Sequence, residues 1–210
     1  EAAPAKVDVS KAVAKRRVLP LKASERSTLE EVINNKTFRM RKSRLLNLLG
    51  FPMSVLPLAA TYMTKDRAGN INNIRFEFSA LECAMSWSEG DEHNTVVCGM
   101  DGSFRVSTIR LASTAYTAYG CAAWSDEKTL TVWILPIESI GMRMLEFKFI
   151  DTAVTMRPTT SPPLSTMINA VSDGAKDVLK KEWLVRLARL AVRVAEKKME
   201  PLHKGRLIKK

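Results

Sequence analysis

The sequence predicts a mainly β protein, an antiparallel up-and-down barrel followed by a C-terminal amphipathic helical tail. Three observations carry this. Apolar and polar residues alternate strictly through several short runs between Asn70 and Arg157, as in Ile74-Arg75-Phe76-Glu77-Phe78. Turn signals punctuate those runs at the roughly 8 to 12 residue spacing of an all-β sandwich or barrel. After Pro158 the apolar spacing changes from two to that of a helix.

Residues 1–30 are rich in Ala, Lys, Val and Ser, with Arg16-Arg17 and a lone Pro20, and read as a linker. A short helix is expected over 28–34, where Ser27 or Thr28 can cap and Glu30 and Glu31 sit in the first turn. The barrel is assigned to residues 31–160. Its strands begin at Thr37 and are interrupted by the apolar run Leu45 to Pro52, whose conformation the pattern leaves open. In Ile74–Phe78 the alternation puts Arg75 and Glu77 on a water face. Leu81 to Trp87 repeats it with Cys83, Met85 and Trp87, and Thr95 to Cys98 follows the polar loop Ser88 to His93. Asp101-Gly102 is the signal of a tight hairpin leading into Phe104, Val106 and Thr108. Strands at 114–124, 128–138, 142–149 and 153–157 bring the set to seven to nine. Closing such a meander removes exposed edges, which favours a barrel over an open sheet.

Residues 161–210 are expected to be a basic amphipathic helical segment. Ser161-Pro162-Pro163 offers a cap and a first-turn Pro, and Lys176 to Met199 places Leu179, Trp183, Leu187, Leu190 and Val194 on one stripe. Three roles fit that helix: a cap on the barrel, a membrane-surface anchor, or a docking segment.

The formal net charge is +11, but residues 1–45 carry +7 and residues 176–210 carry +8, which leaves −4 for the middle. Basicity at the two ends, around a slightly acidic centre, weakens a nucleic-acid reading. No run reaches the 18 or so apolar residues of a spanning helix and Glu1 to Lys6 has no signal-like apolar stretch, so a soluble chain is expected. Cys83, Cys98 and Cys121 have no CxxC spacing and lie in strand-like runs, which suggests buried reduced thiols and a reducing compartment. With His93 and His203 the only histidines, no metal site is expected.

No catalytic, cofactor-binding or metal-ligating residue is assigned. Ser125-Asp126-Glu127-Lys128 has the letters of an S-x-x-K acylating motif, but its Lys must sit one helical turn from the serine, and these four residues lie between two β runs. The carboxylate pairs Asp91-Glu92 and Asp126-Glu127 fall in polar turns where solvation is the expected role. Trp87, Trp124, Trp133, Phe76, Phe78, Phe147 and Phe149 can fill the core or line a ligand cavity.

Ala123 to Glu138, two strands around a polar turn ending in Pro136-Ile137-Glu138, followed by Leu145, Phe147 and Phe149, resembles the C-terminal β domain of serine hydrolases related to class C β-lactamases. Asn35-Lys36-Thr37-Phe38 is similar to the Asn-Gly-Lys-x-Tyr lead into that family's first strand, with Asn for Gly. Ile74–Phe78, the turn region Cys98 to Gly102, and Gly120 to Trp124 fall in the family's order. Residues 43–70 depart from the pattern as an insertion, and the tail from Lys176 lies outside it. The resemblance implies a non-catalytic accessory barrel that packs against, and shapes access to, a catalytic serine hydrolase domain carrying the S-x-x-K serine. This chain alone is then not an enzyme. The alternative reading is a lipocalin-like barrel that binds a small apolar ligand, associated with membrane surfaces through the basic helix.

Overall fold

A computed structural model describes residues 20–41, 71–89, 92–111, 114–138, 142–161 and 202–208. The apolar run Leu45 to Pro52 and the expected helix Lys176 to Met199 lie outside them. Among the described residues one short helix, α1 (Leu29–Ile33), precedes ten strands: β1 (Thr37–Met40), β2 (Ile71–Phe78), β3 (Glu82–Glu89), β4 (Glu92–Gly99), β5 (Arg105–Leu111), β6 (Thr114–Asp126), β7 (Thr129–Pro136), β8 (Met142–Ile150), β9 (Ala153–Ser161) and β10 (His203–Leu207). The helix starts as its sequence suggests. Ser27 Oγ accepts the Leu29 N–H at 3.0 Å, satisfying one of the orphan donors of the first turn.

The strands form one sheet in the order β4-β3-β2-β1-β10-β9-β8-β7-β6-β5. Every sequential pair but one is therefore an antiparallel neighbour, and the last strand returns to the first. The expected up-and-down barrel is present, and its interior holds the core: Phe38, Ile74, Phe76, Met85, Leu130, Ile134, Leu145, Phe147 and Met156 are fully buried. Because side chains alternate across a strand, the charged residues between them, such as Arg75, Glu146 and Lys148, point to water.

The C-terminal end corrects the sequence reading. Where 161–210 was expected to be helical and outside the barrel, His203–Leu207 is a strand inserted between β1 and β9, with Phe38 opposite Leu207 and Gly205 opposite both Met40 and Val154. The inward positions of this strand are His203, Gly205 and Leu207, so the apolar alternation that marks a half-buried strand is missing from its sequence. Gly205 is there for space. A Cβ on it would lie 2.4 Å from Met40 Sδ and 2.9 Å from Val154 Cγ1.

The one gap in the ladder falls between β4 and β5, where a tight hairpin was expected. Instead β4 meets β6 in a parallel contact at Gly99 and Cys121. Farther along, side chains replace the backbone ladder. Asn94 accepts the Arg110 N–H at 2.6 Å and donates to the Arg110 carbonyl at 2.7 Å, and Ser107 Oγ accepts the Val97 N–H at 2.9 Å. The face of β5 also differs from the alternation read in sequence: Val106 is 58 % exposed, and Ile109, on the opposite face, is buried.

The part of the expected linker from Leu21 onward packs along β6. Leu21 N–H approaches Cys121 Sγ at 3.4 Å, Ser24 Oγ accepts the Trp124 N–H at 2.9 Å, and Ser27 Oγ donates to the Glu127 carbonyl at 2.6 Å.

Candidate functional site

The barrel interior has two unlike ends. Around the β6–β7 and β8–β9 turns it is filled by interlocking rings. Phe76 packs edge-on against Phe147 and Phe149 with centroids 5.0 and 5.7 Å apart, Phe38 lies 5.6 Å from Phe149, and Phe78 stacks on Trp124 at 6.1 Å. Edge-to-face packing of this kind adds to the area buried. Helix α1 closes this end, with Ile33 buried in the core and Leu29 packed against it. Of the aromatics singled out in sequence, Trp87, Trp124, Phe76, Phe147 and Phe149 are buried in the core and Phe78 packs against it.

The other end is polar inside. Arg143 lies near the start of β8, on the same face as Leu145, Phe147 and Phe149, and is only 3 % exposed. His203, in register with Met156 on β9 and through it with Phe147 on β8, is also buried and sits within the electrostatic reach of Arg143. Burial first, and then the Arg143 charge, pushes the imidazole down to about 4. Asn94 lies buried at this end of β4. A guanidinium in a barrel interior is an expensive group to bury, and it supplies a fixed positive charge with a planar fork of donors for a carboxylate. Sequence reading missed both Arg143 and His203. The parity of Arg143 with Leu145, Phe147 and Phe149 was a usable signal, but a charge beside Met142 and Met144 at a strand's start reads as an edge.

The hydrolase-like motif is dispersed. Ser125 is exposed and its hydroxyl pairs with Thr131 Oγ1 at 2.7 Å, while Lys128 sits in the turn with its backbone N–H donated to Asp126 Oδ1 at 2.8 Å. Asp126 and Glu127 are both held below the ordinary carboxylate range. For Asp126 the chief cause is the Lys128 backbone N–H; for Glu127 it is the Thr28 hydroxyl, with the Thr28 N–H next. A general acid needs a shift in the opposite direction. Glu127 instead pins the N-terminal segment, accepting from Thr28 Oγ1 at 2.5 Å and Thr28 N–H at 2.9 Å.

Cys83, Cys98 and Cys121 are free and buried, with Cys83 directly opposite Cys98 across β3 and β4. Desolvation raises all three thiols, Cys121 to about 11, which removes thiolate character. Among the described residues no three His, Cys, Asp or Glu side chains come together as a metal-binding group.

No protein-family model matches the sequence, and no curated protein does either. Among solved structures the chain is similar to the fatty-acid-binding protein isolated from Manduca sexta, at 7 % identity and a TM-score of 0.42, over 84 % of this chain and 99 % of that one. It is also similar to a fatty-acid-binding protein from brain tissue of Drosophila melanogaster, at 7 % identity and a TM-score of 0.39, over 61 % of this chain and 91 % of that one.

Proposed function

We propose that this chain is a binding barrel for a small apolar ligand carrying one acidic group. The observation that carries the reading is an apolar, aromatic interior that also buries Arg143 and His203, with His203 within the electrostatic reach of Arg143. The apolar part of the ligand is stabilised by area removed from water, and its carboxylate by the guanidinium fork in a low-dielectric setting where such a hydrogen bond is strong. A carboxylate beside His203 also opposes the Arg143 field, so binding favours the imidazolium and takes up a proton below neutral pH. Binding is the role assigned.

The accessory-domain reading rests on the hairpin β6–β7 and the strand β8. Those features belong to any meander barrel with apolar alternation, so they favour no partner domain in particular.

Titration calorimetry with oleate and with oleyl alcohol tests the proposal. Oleate is expected to bind the wild-type chain more tightly than the alcohol, and Arg143→Met to weaken oleate by about tenfold or more, equivalent to the roughly 1.5–3 kcal/mol of a charge-assisted hydrogen bond. Absence of binding by both ligands overturns it, and so does equal affinity for the two.

A further inference from the structure

The outer face of the barrel at the β1–β10 seam concentrates positive charge. Arg39 on β1 stands directly opposite Arg206 on β10, and the adjoining Arg41 donates its backbone N–H to the Lys204 carbonyl at 2.8 Å. Lys204 is opposite Thr155 on β9, which is opposite Lys148 on β8. All five cations are exposed. With strands about 4.8 Å apart and alternate residues about 6.8 Å apart, they fall in a patch of roughly 15 by 7 Å.

Among the described residues none of Arg39, Arg41, Lys204 or Arg206 takes part in an ion pair; Arg26, Arg75 and Arg105 do. Acidic groups border the patch on the β8 side: Glu146, opposite Arg157 at its margin, Asp126, whose carboxylate feels the Lys148 charge, and exposed Asp151 in the β8–β9 turn. Like charges directly opposite on neighbouring strands destabilise a sheet, so the Arg39–Arg206 pair costs the fold something that a partner would recover.

Aliphatic side chains flank the patch. Ile150 is 51 % exposed, on the row of Arg206 and Ala153, and Leu202 and Ile208 bracket β10 at 50 % and 39 % exposure. Cations ringed by exposed aliphatics match an anionic lipid surface, where the charges meet headgroups and the aliphatics reach the acyl boundary. Single-stranded nucleic acid asks instead for aromatic stacking platforms, and the aromatic residues of these four strands, Phe38, Phe147 and Phe149, are all buried inside.

We infer that the β1–β10 face, through Arg39, Arg41, Lys204, Arg206 and Lys148, docks the protein on a membrane surface bearing anionic phospholipid. This face is separate from the barrel interior and does not depend on what the interior binds.

The test is co-sedimentation of the full chain with vesicles of phosphatidylcholine alone and of phosphatidylcholine mixed with phosphatidylserine, with added salt and with duplex DNA as a competitor. Wild-type protein is expected on the serine-containing vesicles only, with binding falling as salt rises. The double variant Arg39→Glu with Lys204→Glu is expected to bind about tenfold more weakly or worse. It should fold, because its new carboxylates face Arg206 and Arg41; Arg39→Gln with Arg206→Gln serves as a second, milder variant. Lys22→Glu reverses a charge at an exposed position beside β6, away from these four strands, and is expected to leave binding within about twofold of wild type. Unchanged binding by both patch variants overturns the assignment by placing the lipid contact elsewhere in the chain. Capture by duplex DNA without capture by vesicles overturns it in favour of nucleic acid.

Discussion

Trp124 donates its indole N–H to Glu30 Oε1 at 2.6 Å, joining the end of β6 to a helix 94 residues earlier. The same carboxylate is held in a fork by Arg26, from Nε and from the second guanidinium nitrogen, both at 2.6 Å. Arg26 in turn donates to the carbonyls of Ser79 and Ala80 at the β2–β3 turn, and its guanidinium lies 6.0 Å from the Phe78 ring centroid. The ring-filled end of the barrel is thus closed by a network in which every polar atom has a partner.

That network sets an order of effects. Trp124→Phe removes one donor but leaves Glu30 paired with Arg26, and is expected to cost about 1–2 kcal/mol. Glu30→Ala strands the indole N–H and frees the Arg26 fork together, and is expected to cost about 2–3 kcal/mol. Urea denaturation monitored by tryptophan fluorescence ranks the two, and a larger loss for Trp124→Phe would place the weight on ring packing.

At the gap between β4 and β5, Asn94 does the work of two ladder bonds to Arg110. Asn94→Ala is expected to destabilise the fold by about 2–3 kcal/mol. Faster amide exchange at Arg110 than at the β8–β9 ladder would locate the opening at the gap.

Gly120 allows β6 to come close to β4: a Cβ there would lie 2.4 Å from the Val97 carbonyl oxygen and 2.9 Å from Cys98 Sγ. Since backbone is in the way, Gly120→Ala is expected to cost about 1–3 kcal/mol. Thiol accessibility gives a second readout. Cys98 should react with a disulfide reagent faster in the variant than in the wild-type protein, where all three thiols are buried.

His203 predicts an acid limb in stability. Its folded value, about 4, lies below the ordinary 6.5, so the unfolded chain binds the extra proton between those values. The contribution is fully present above about 6.5 and is lost as pH falls toward 4, on the order of 3 kcal/mol in all. His203→Gln should flatten stability in that window. The depressed carboxylates Asp101, Asp126 and Glu127 act at lower pH, through their own folded values, and leave the window between 4.5 and 6.5 to the imidazole.

Nine of the ten strands were legible because a stave with one wet face and one dry face writes its period into its own residues, as Ile74 to Phe78 and Leu145 to Phe149 do. The helix α1 was legible for the same local reason, from its cap and first-turn acids. The interior site was not. Arg143 and His203 are 60 residues apart in the chain, and each is unremarkable alone, a cation near a strand end and a histidine in a basic tail.

What the sequence determined by itself is that nine of the segments are strands and, for those with clear alternation such as Ile74–Phe78 and Leu145–Phe149, which face is apolar, since alternation and turn chemistry are set within a few residues. The tertiary structure decided the rest. It recruited the poorly apolar His203–Leu207 as the closing stave, drew Leu21 to Thr28 along β6, left β4 and β5 joined by side chains, and brought four cations together at the β1–β10 seam. The reason is one of range: closing a barrel satisfies the backbone groups of two edges at once, and that gain depends on the whole ring of strands and on no single segment of it.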